Sequence, residues 1–136
     1  VVHGLDGLDE ISTIGKTQIS HLKNGTVTTK IMAPKDFGVK QTKQEHIKGT
    51  APQESAETVF KILFGLYKAD DPRREIVQVN GAASVIVAGL ADDFGYGLEV
   101  AKESIDGGNA YKKLKDLVKF SGGNLAKLEQ LETKYA

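Results

Sequence analysis

Val1-Val2-His3-Gly4-Leu5-Asp6-Gly7-Leu8-Asp9-Glu10-Ile11-Ser12 is the stretch on which the reading of the fold turns. Val1-Val2-His3 has the look of a strand end whose start is missing. Gly4 and Gly7 bracket a tight turn, because glycine takes positive φ without steric cost. Asp6 between them is expected to hold that turn through its own side-chain hydrogen bond. Two adjacent carboxylates, Asp9 and Glu10, follow. Mg²⁺ takes oxygen ligands and needs only one or two protein carboxylates when phosphates complete its shell. The competing reading of an adjacent acidic pair is a solvated turn, since charged residues are mostly exposed.

Outward from this run, residues 1–48 read as strands and turns. Thr17 to Leu22 alternates in polarity, Thr26 to Met32 is rich in β-branched residues, and Asn24-Gly25 between them predicts a β-hairpin. Ala33-Pro34-Lys35-Asp36-Phe37-Gly38 reads as loop. Residues 52–135 read as helical. Pro52 suits a first helical position, with Thr50 or Ala51 before it and Glu54 in the first turn. Ala56, Val59, Phe60, Leu63 and Tyr67 recur at helical spacing as one face. Asp71-Pro72 is expected to break that helix. Glu75 to Leu90 is apolar nearly all round, which predicts a helix buried on several sides. Its Gly81, Ala82, Ala83 and Ser84 would allow close backbone approach. A further helix is expected from about Phe94 to Ile105, ended by Gly107-Gly108. Another spans Asn109 to Phe120, with Ala110, Leu114, Leu117 and Val118 inward. A last one carries Leu125, Leu128, Leu131 and Tyr135. Strands followed by helices would suggest α+β in a whole domain. The incomplete first strand instead suggests the second half of a larger α/β sheet.

Composition narrows the classes. The 136 residues fit one domain, long enough to bury about 70% of the unfolded surface. Lys+Arg and Asp+Glu are both 18, without the basic excess usual for a nucleic-acid binder. There are no cysteines, which excludes disulfides and thiolate metal sites and fits the cytoplasm. The longest apolar run, Ala82 to Leu90, is about half of what a membrane span needs, and no signal peptide is visible. The chain opens on Val1 rather than Met, which reads as a fragment, a processed product or one piece of a broken chain.

The opening run resembles the V-V-H-G-x-D-G-L-D-E-x-S signature of anthranilate phosphoribosyltransferases. The resemblance continues in family order through Gly15 and Thr17, the hairpin and Ala33-Pro34-Lys35-Asp36-Phe37-Gly38, which is similar to a P-x-D-F-G segment. Gly49-Thr50-Ala51-Pro52-Gln53-Glu54-Ser55-Ala56 is similar to G-G-x-x-x-E-N-A, Asn80-Gly81-Ala82-Ala83 to an N-A-A helix segment, and Gly107-Gly108-Asn109-Ala110 to S-G-x-A. Thr50, Ser55 and Lys16 depart from the glycine, asparagine and proline common there.

The resemblance implies an α/β fold, with residues 1–136 as the C-terminal half of the nucleoside phosphorylase/phosphoribosyltransferase α/β domain: a β-hairpin followed by a helical bundle packed on the sheet. It implies transfer of phosphoribosyl from phosphoribosyl pyrophosphate (PRPP) to anthranilate in tryptophan biosynthesis, with Asp9 and Glu10 as ligands of Mg²⁺ and no catalytic acid or base in this chain. It places the helical N-terminal domain, the G-T-G-G-D donor-phosphate loop, the K-H-G-N segment and the anthranilate contacts upstream. The implied partners are PRPP, anthranilate, that N-terminal half and a second copy in a homodimer, in the cytoplasm, with neither nucleic acid nor membrane. Alone, the chain is then expected to be inactive and to leave an unpaired edge strand. A pyrimidine nucleoside phosphorylase or another phosphoribosyltransferase of the same fold, and a non-catalytic nucleic-acid-binding relative, are the alternatives. The Asp9-Glu10 run does not resemble the phosphorylases, and the charge balance does not supply the basic surface.

The remaining polar residues are read as structural. His3 is expected to make a structural hydrogen bond at a strand end. His21 and His46 show no ligand spacing. Asn80 would cap or bridge the apolar helix to the sheet. Lys112, Lys113, Lys115 and Lys119 form a solvated basic face interrupted by Asp116.

Overall fold

Asn24 and Gly25 adopt φ of 51° and 76°, the left-handed pair that a two-residue hairpin turn demands. In the computed structural model, which describes residues 1–135, three strands and six helices follow in order. They are β1 (Val2–Gly4), β2 (Thr17–Lys23), β3 (Thr26–Met32), α1 (Gln44–Ile47), α2 (Pro52–Leu63), α3 (Pro72–Val87), α4 (Phe94–Asp106), α5 (Asn109–Phe120) and α6 (Leu125–Tyr135). They form two units. The first holds Val1–Lys48 and Ala69–Ala101; the second holds Gly49–Lys68 and the chain from Lys102 onward.

In the first unit the strands lie in the order β1-β2-β3, antiparallel, with Val2 opposite Ile19 and Thr17 opposite Met32. Among the described residues β1 pairs only with β2, so its other edge is open. Ile11, Phe37, Val39 and Val79 form the core, against which Val2, Ile19, Met32, Ala83, Phe94 and Leu98 pack. Phe37 meets Phe94 edge-to-face at 4.7 Å. The small residues of α3 do allow close approach: a Cβ at Gly97 of α4 would lie 3.1 Å from the Ala82 carbonyl oxygen.

Several local expectations change. Ala33–Gly38 is not loop throughout, because Pro34–Phe37 closes a 3₁₀ turn. Asp36 there accepts from the Ala33 N–H at 2.8 Å, and Gly38 exits at φ 83°. The short α1 lies in the region read as strands and turns, packed on α3. Asp71-Pro72 starts a helix rather than breaking one: Asp71 accepts from the Arg73 N–H at 2.9 Å and Pro72 occupies the first turn of α3. The preceding helix has already ended at Gly65 (φ 81°), where the Leu66 N–H donates back to the Lys61 carbonyl at 2.9 Å. Nor is α3 buried on several sides, since Val77 and Val87 are exposed. Its buried face includes Arg74 and Gln78, and with its amide assigned by the network Gln78 accepts from Arg74 Nε at 2.8 Å and donates to the Ala69 carbonyl at 3.2 Å.

The second unit is built from α2, α5 and α6. Phe60, Tyr111 and Leu128 form its core, with Phe64, Leu114, Val118, Leu125, Leu131 and Tyr135 around them. Phe60 and Phe64 both meet Tyr111 edge-to-face, at 5.4 and 4.8 Å. This aromatic cluster sets the phase of two helices, because rings bury the most area per residue. Ala56 and Val59 therefore stay exposed on α2, and on α5 Tyr111 is buried while Leu117, expected inward, is exposed.

Glu57 ties α6 to α2. It accepts from the Tyr135 hydroxyl, pairs with Lys61 at 3.0 Å and with Lys134 at 3.2 Å. The Tyr135 bond first, then the two lysines, lower its pKa from 4.5 to about 2. A carboxylate depressed on folding stabilises the fold fully above its unfolded value and loses that contribution as pH falls through the folded one. Docking of α6 should therefore weaken between pH 4.5 and about 2. Tyr135→Phe should raise the Glu57 pKa toward its ordinary value, read by carboxyl carbon NMR across an acid titration. An unchanged titration of Glu57 would refute the assignment.

Candidate metal centre

The loop between β1 and β2 is fastened around Asp6. Its Oδ1 accepts from the Leu8 N–H at 3.3 Å and its Oδ2 from the Ser12 hydroxyl. Ser12 Oγ accepts in turn from the Ile14 and Gly15 N–H groups at 3.0 and 3.1 Å. Gly4 and Gly15 make room for this carboxylate, for a Cβ on either would lie 2.8 or 2.9 Å from an Asp6 oxygen. Gly7 supplies the turn at φ 98°. Asp6 is thus the turn residue expected from sequence, with both oxygens engaged.

Ile11, Ser12, Thr13 and Thr17 are fully buried and pin the second half of the loop. Ser12 N–H donates to Thr17 Oγ1 at 2.9 Å. The Thr13 carbonyl accepts from the Thr42 N–H at 2.8 Å, and the Ile14 carbonyl from Gln41 Nε2 at 2.7 Å. Asn80 of α3 bridges to this loop as its position suggested: it accepts from the Ile11 N–H at 2.9 Å and donates to the Ile11 carbonyl at 3.0 Å.

Thr13 Oγ1 is buried without a hydrogen-bond partner among the described residues. Such a hydroxyl costs about 1–3 kcal/mol. Thr13→Val, nearly isosteric, is expected to raise stability by about 1 kcal/mol in chemical denaturation. Destabilisation instead would show that the hydroxyl has a partner.

Between these anchored ends lie Asp9 and Glu10, both exposed. Unlike Asp6, neither carboxylate makes a hydrogen bond or ion pair among the described residues. No group of three or more His, Cys, Asp or Glu side chains capable of holding a metal occurs among the described residues. A dedicated all-protein cage is therefore not built here. The donor set does fit Mg²⁺, which usually takes one or two carboxylates together with waters and substrate phosphates.

The other polar residues stand apart. The His3 ring is exposed and makes no hydrogen bond among the described residues, so the structural bond expected of it is not made; its alternate position on the strand turns it to solvent. His46 bonds Thr42 at 3.0 Å, and His21 is exposed on β2. Of the α5 lysines, Lys115 is not simply solvated but pairs with Glu132 at 2.9 Å.

The chain belongs to the glycosyl transferase family, a/b domain, whose sequence pattern matches residues 1–111. Within that class it is similar to anthranilate phosphoribosyltransferases. The protein of that name from Methanococcoides burtonii is 41% identical over 133 residues, which is 98% of this chain and 36% of the relative. The one from Desulfosudis oleivorans is 40% identical over 124 residues, 91% of this chain and 36% of the relative. The chain thus spans about a third of the length of the curated relatives it matches. Among solved structures, anthranilate phosphoribosyltransferase from Saccharomyces cerevisiae in complex with PRPP and Mg superposes with a TM-score of 0.75 at 29% identity, over 84% of this chain and 32% of that one. The anthranilate phosphoribosyltransferase of Thermus thermophilus gives 0.75 at 29% identity, over 88% and 34%.

Proposed function

We propose that residues 1–136 form the C-terminal part of the α/β domain of an anthranilate phosphoribosyltransferase, and that Asp9 and Glu10 hold Mg²⁺ against the pyrophosphate of PRPP. The observation that carries this reading is the uncommitted, exposed carboxylate pair held between two anchored loop ends, in a chain whose relatives bear that name. The Saccharomyces structure with PRPP and Mg lends support to both ligands.

Cleavage at the ribose anomeric carbon leaves negative charge on the departing pyrophosphate and an oxocarbenium-like sugar. When bound, Mg²⁺ would neutralise that developing charge. This chain's part is to present two oxygens at a fixed place, so that the donor is oriented before reaction. No general acid or base is needed from residues 1–135, and anthranilate would be bound by the upstream part of the domain. A homodimer in the cytoplasm completes the reading; the cysteine-free composition is compatible with that compartment, and no described helix is long and apolar enough to cross a membrane.

The test is pyrophosphate release by the complete polypeptide that carries this sequence, given PRPP, Mg²⁺ and anthranilate. Release that depends on anthranilate supports the reading. Release that depends on a nucleobase instead, or none with any acceptor, contradicts it.

A further inference from the structure

Asn80 lies in the middle of α3, where asparagine is a poor helix former and a half-buried amide must be compensated. Its carboxamide is fully used. Oδ1 accepts from the Ile11 N–H at 2.9 Å, while Nδ2 donates to the Ile11 carbonyl at 3.0 Å and to the Ile76 carbonyl at 2.9 Å. The amide can face only one way, because reversing it would set its oxygen against two carbonyls and its NH₂ against an N–H. The Ile11 side chain is meanwhile fully buried in the core with Phe37, Val39 and Val79.

The Ile11 N–H belongs to the Glu10–Ile11 peptide. Clamping it fixes that peptide plane, and with it the backbone torsion that aims the Glu10 side chain. Upstream, Leu8 is held by its carbonyl, which accepts from the Gly4 N–H at 2.7 Å, and by its own N–H on Asp6. Asp9 and Glu10 are the two-residue span between these fixed points, and no side-chain bond of their own restrains them. The other loop anchors, Asp6–Ser12, Ser12–Thr17, Thr42–Thr13 and Gln41–Ile14, do not pass through Asn80. Losing the clamp should therefore loosen the carboxylate end of the loop selectively.

We infer that Asn80 is a positioning residue for the Asp9-Glu10 pair, acting through the Ile11 backbone, and so sets the affinity for the divalent ion that the pair takes with a diphosphate. This rests on the reading of Asp9 and Glu10 given above. Partners that orient metal ligands typically contribute about 10- to 100-fold in metal affinity.

The experiment is calorimetric binding of PRPP to the complete polypeptide over a series of Mg²⁺ concentrations, with melting midpoints alongside. It compares wild type, Asn80→Asp, Asn80→Ala, Asp9→Ala and Val79→Ala. Asn80→Asp keeps the size and the acceptor for the Ile11 N–H but opposes both carbonyls. Val79→Ala is a neighbouring core truncation that thins the packing around Ile11 but leaves the Asn80–Ile11 hydrogen bonds in place, so it separates loss of the clamp from loss of core packing. The expected result is that Asp9→Ala abolishes the gain in PRPP affinity on adding Mg²⁺. Both Asn80 variants should shift the Mg²⁺ requirement about 10-fold or more upward, and Val79→Ala should melt earlier with the wild-type requirement. If Asp9→Ala abolishes the gain while a folded Asn80 variant keeps the wild-type requirement, the positioning role is overturned. An equal shift in Val79→Ala also overturns it, since the effect would be general destabilisation. An Asp9→Ala variant with an undiminished gain overturns the metal assignment itself.

Discussion

Asp9→Ala in the complete polypeptide is expected to lower kcat/KM for PRPP by about 100- to 1000-fold at fixed Mg²⁺, the usual loss when one preorganised stabiliser of transition-state charge is removed. Glu10→Ala should fall in the same range. The double variant should lose much less than the product of the two, because residues serving one ion act as a unit. Neither variant should unfold the protein. Both side chains are exposed and carry no hydrogen bond or ion pair among the described residues, so stability should stay within about 0.5 kcal/mol of wild type. Steady-state kinetics over PRPP and Mg²⁺, beside thermal melts, separates the cases. Activity lost at constant stability is the signature of ligands; activity retained would mean that the pair is a solvated turn.

Phe37→Ala is the largest expected stability change, about 3–5 kcal/mol by chemical denaturation. Phe37 is 1% exposed, touches the core of Ile11, Val39 and Val79 and meets the Phe94 ring edge-to-face at 4.7 Å. Truncation opens a cavity at the junction of the 3₁₀ turn, the loop and α4, and it also loses the ring pair, worth about 0.5–1.5 kcal/mol beyond area burial. Phe37→Leu should cost clearly less, since much of the volume is kept. A cost below about 1 kcal/mol for Phe37→Ala would mean the site collapses around the cavity, contradicting the packing described.

Features governed by neighbouring residues were the ones legible in the sequence. Asn24-Gly25 specifies its turn by backbone sterics alone, and the hairpin forms there. Pro52 opens α2, and Gly107-Gly108 separates α4 from α5. The misreadings arose where a local signal has two meanings or where tertiary contact decides. Asp71-Pro72 has the chemistry of a helix start as much as of a helix stop. The faces of α2 and α5 follow Phe60, Phe64 and Tyr111 rather than the aliphatic residues, because the rings cluster with one another. At the candidate site, the Asp6 turn could be read from its bracketing glycines, whereas adjacency alone marks Asp9-Glu10 as no more than a solvated turn and only the resemblance of the whole run suggests metal ligands. The Asn80 clamp joins residues 69 apart. Its only sequence signal is a lone asparagine in an apolar helix, which proposes a bridge without naming its partner.

The most direct measurement is an anomalous difference map from crystals of the complete polypeptide grown with PRPP and Mn²⁺ in place of Mg²⁺. The expected result is a metal peak against the pyrophosphate with a carboxylate oxygen of Asp9 or Glu10 in its coordination shell, at about 2.0–2.2 Å as for a small hard cation. A metal held on the pyrophosphate with both carboxylates turned to solvent, neither directly nor through a water in its shell, would contradict the account.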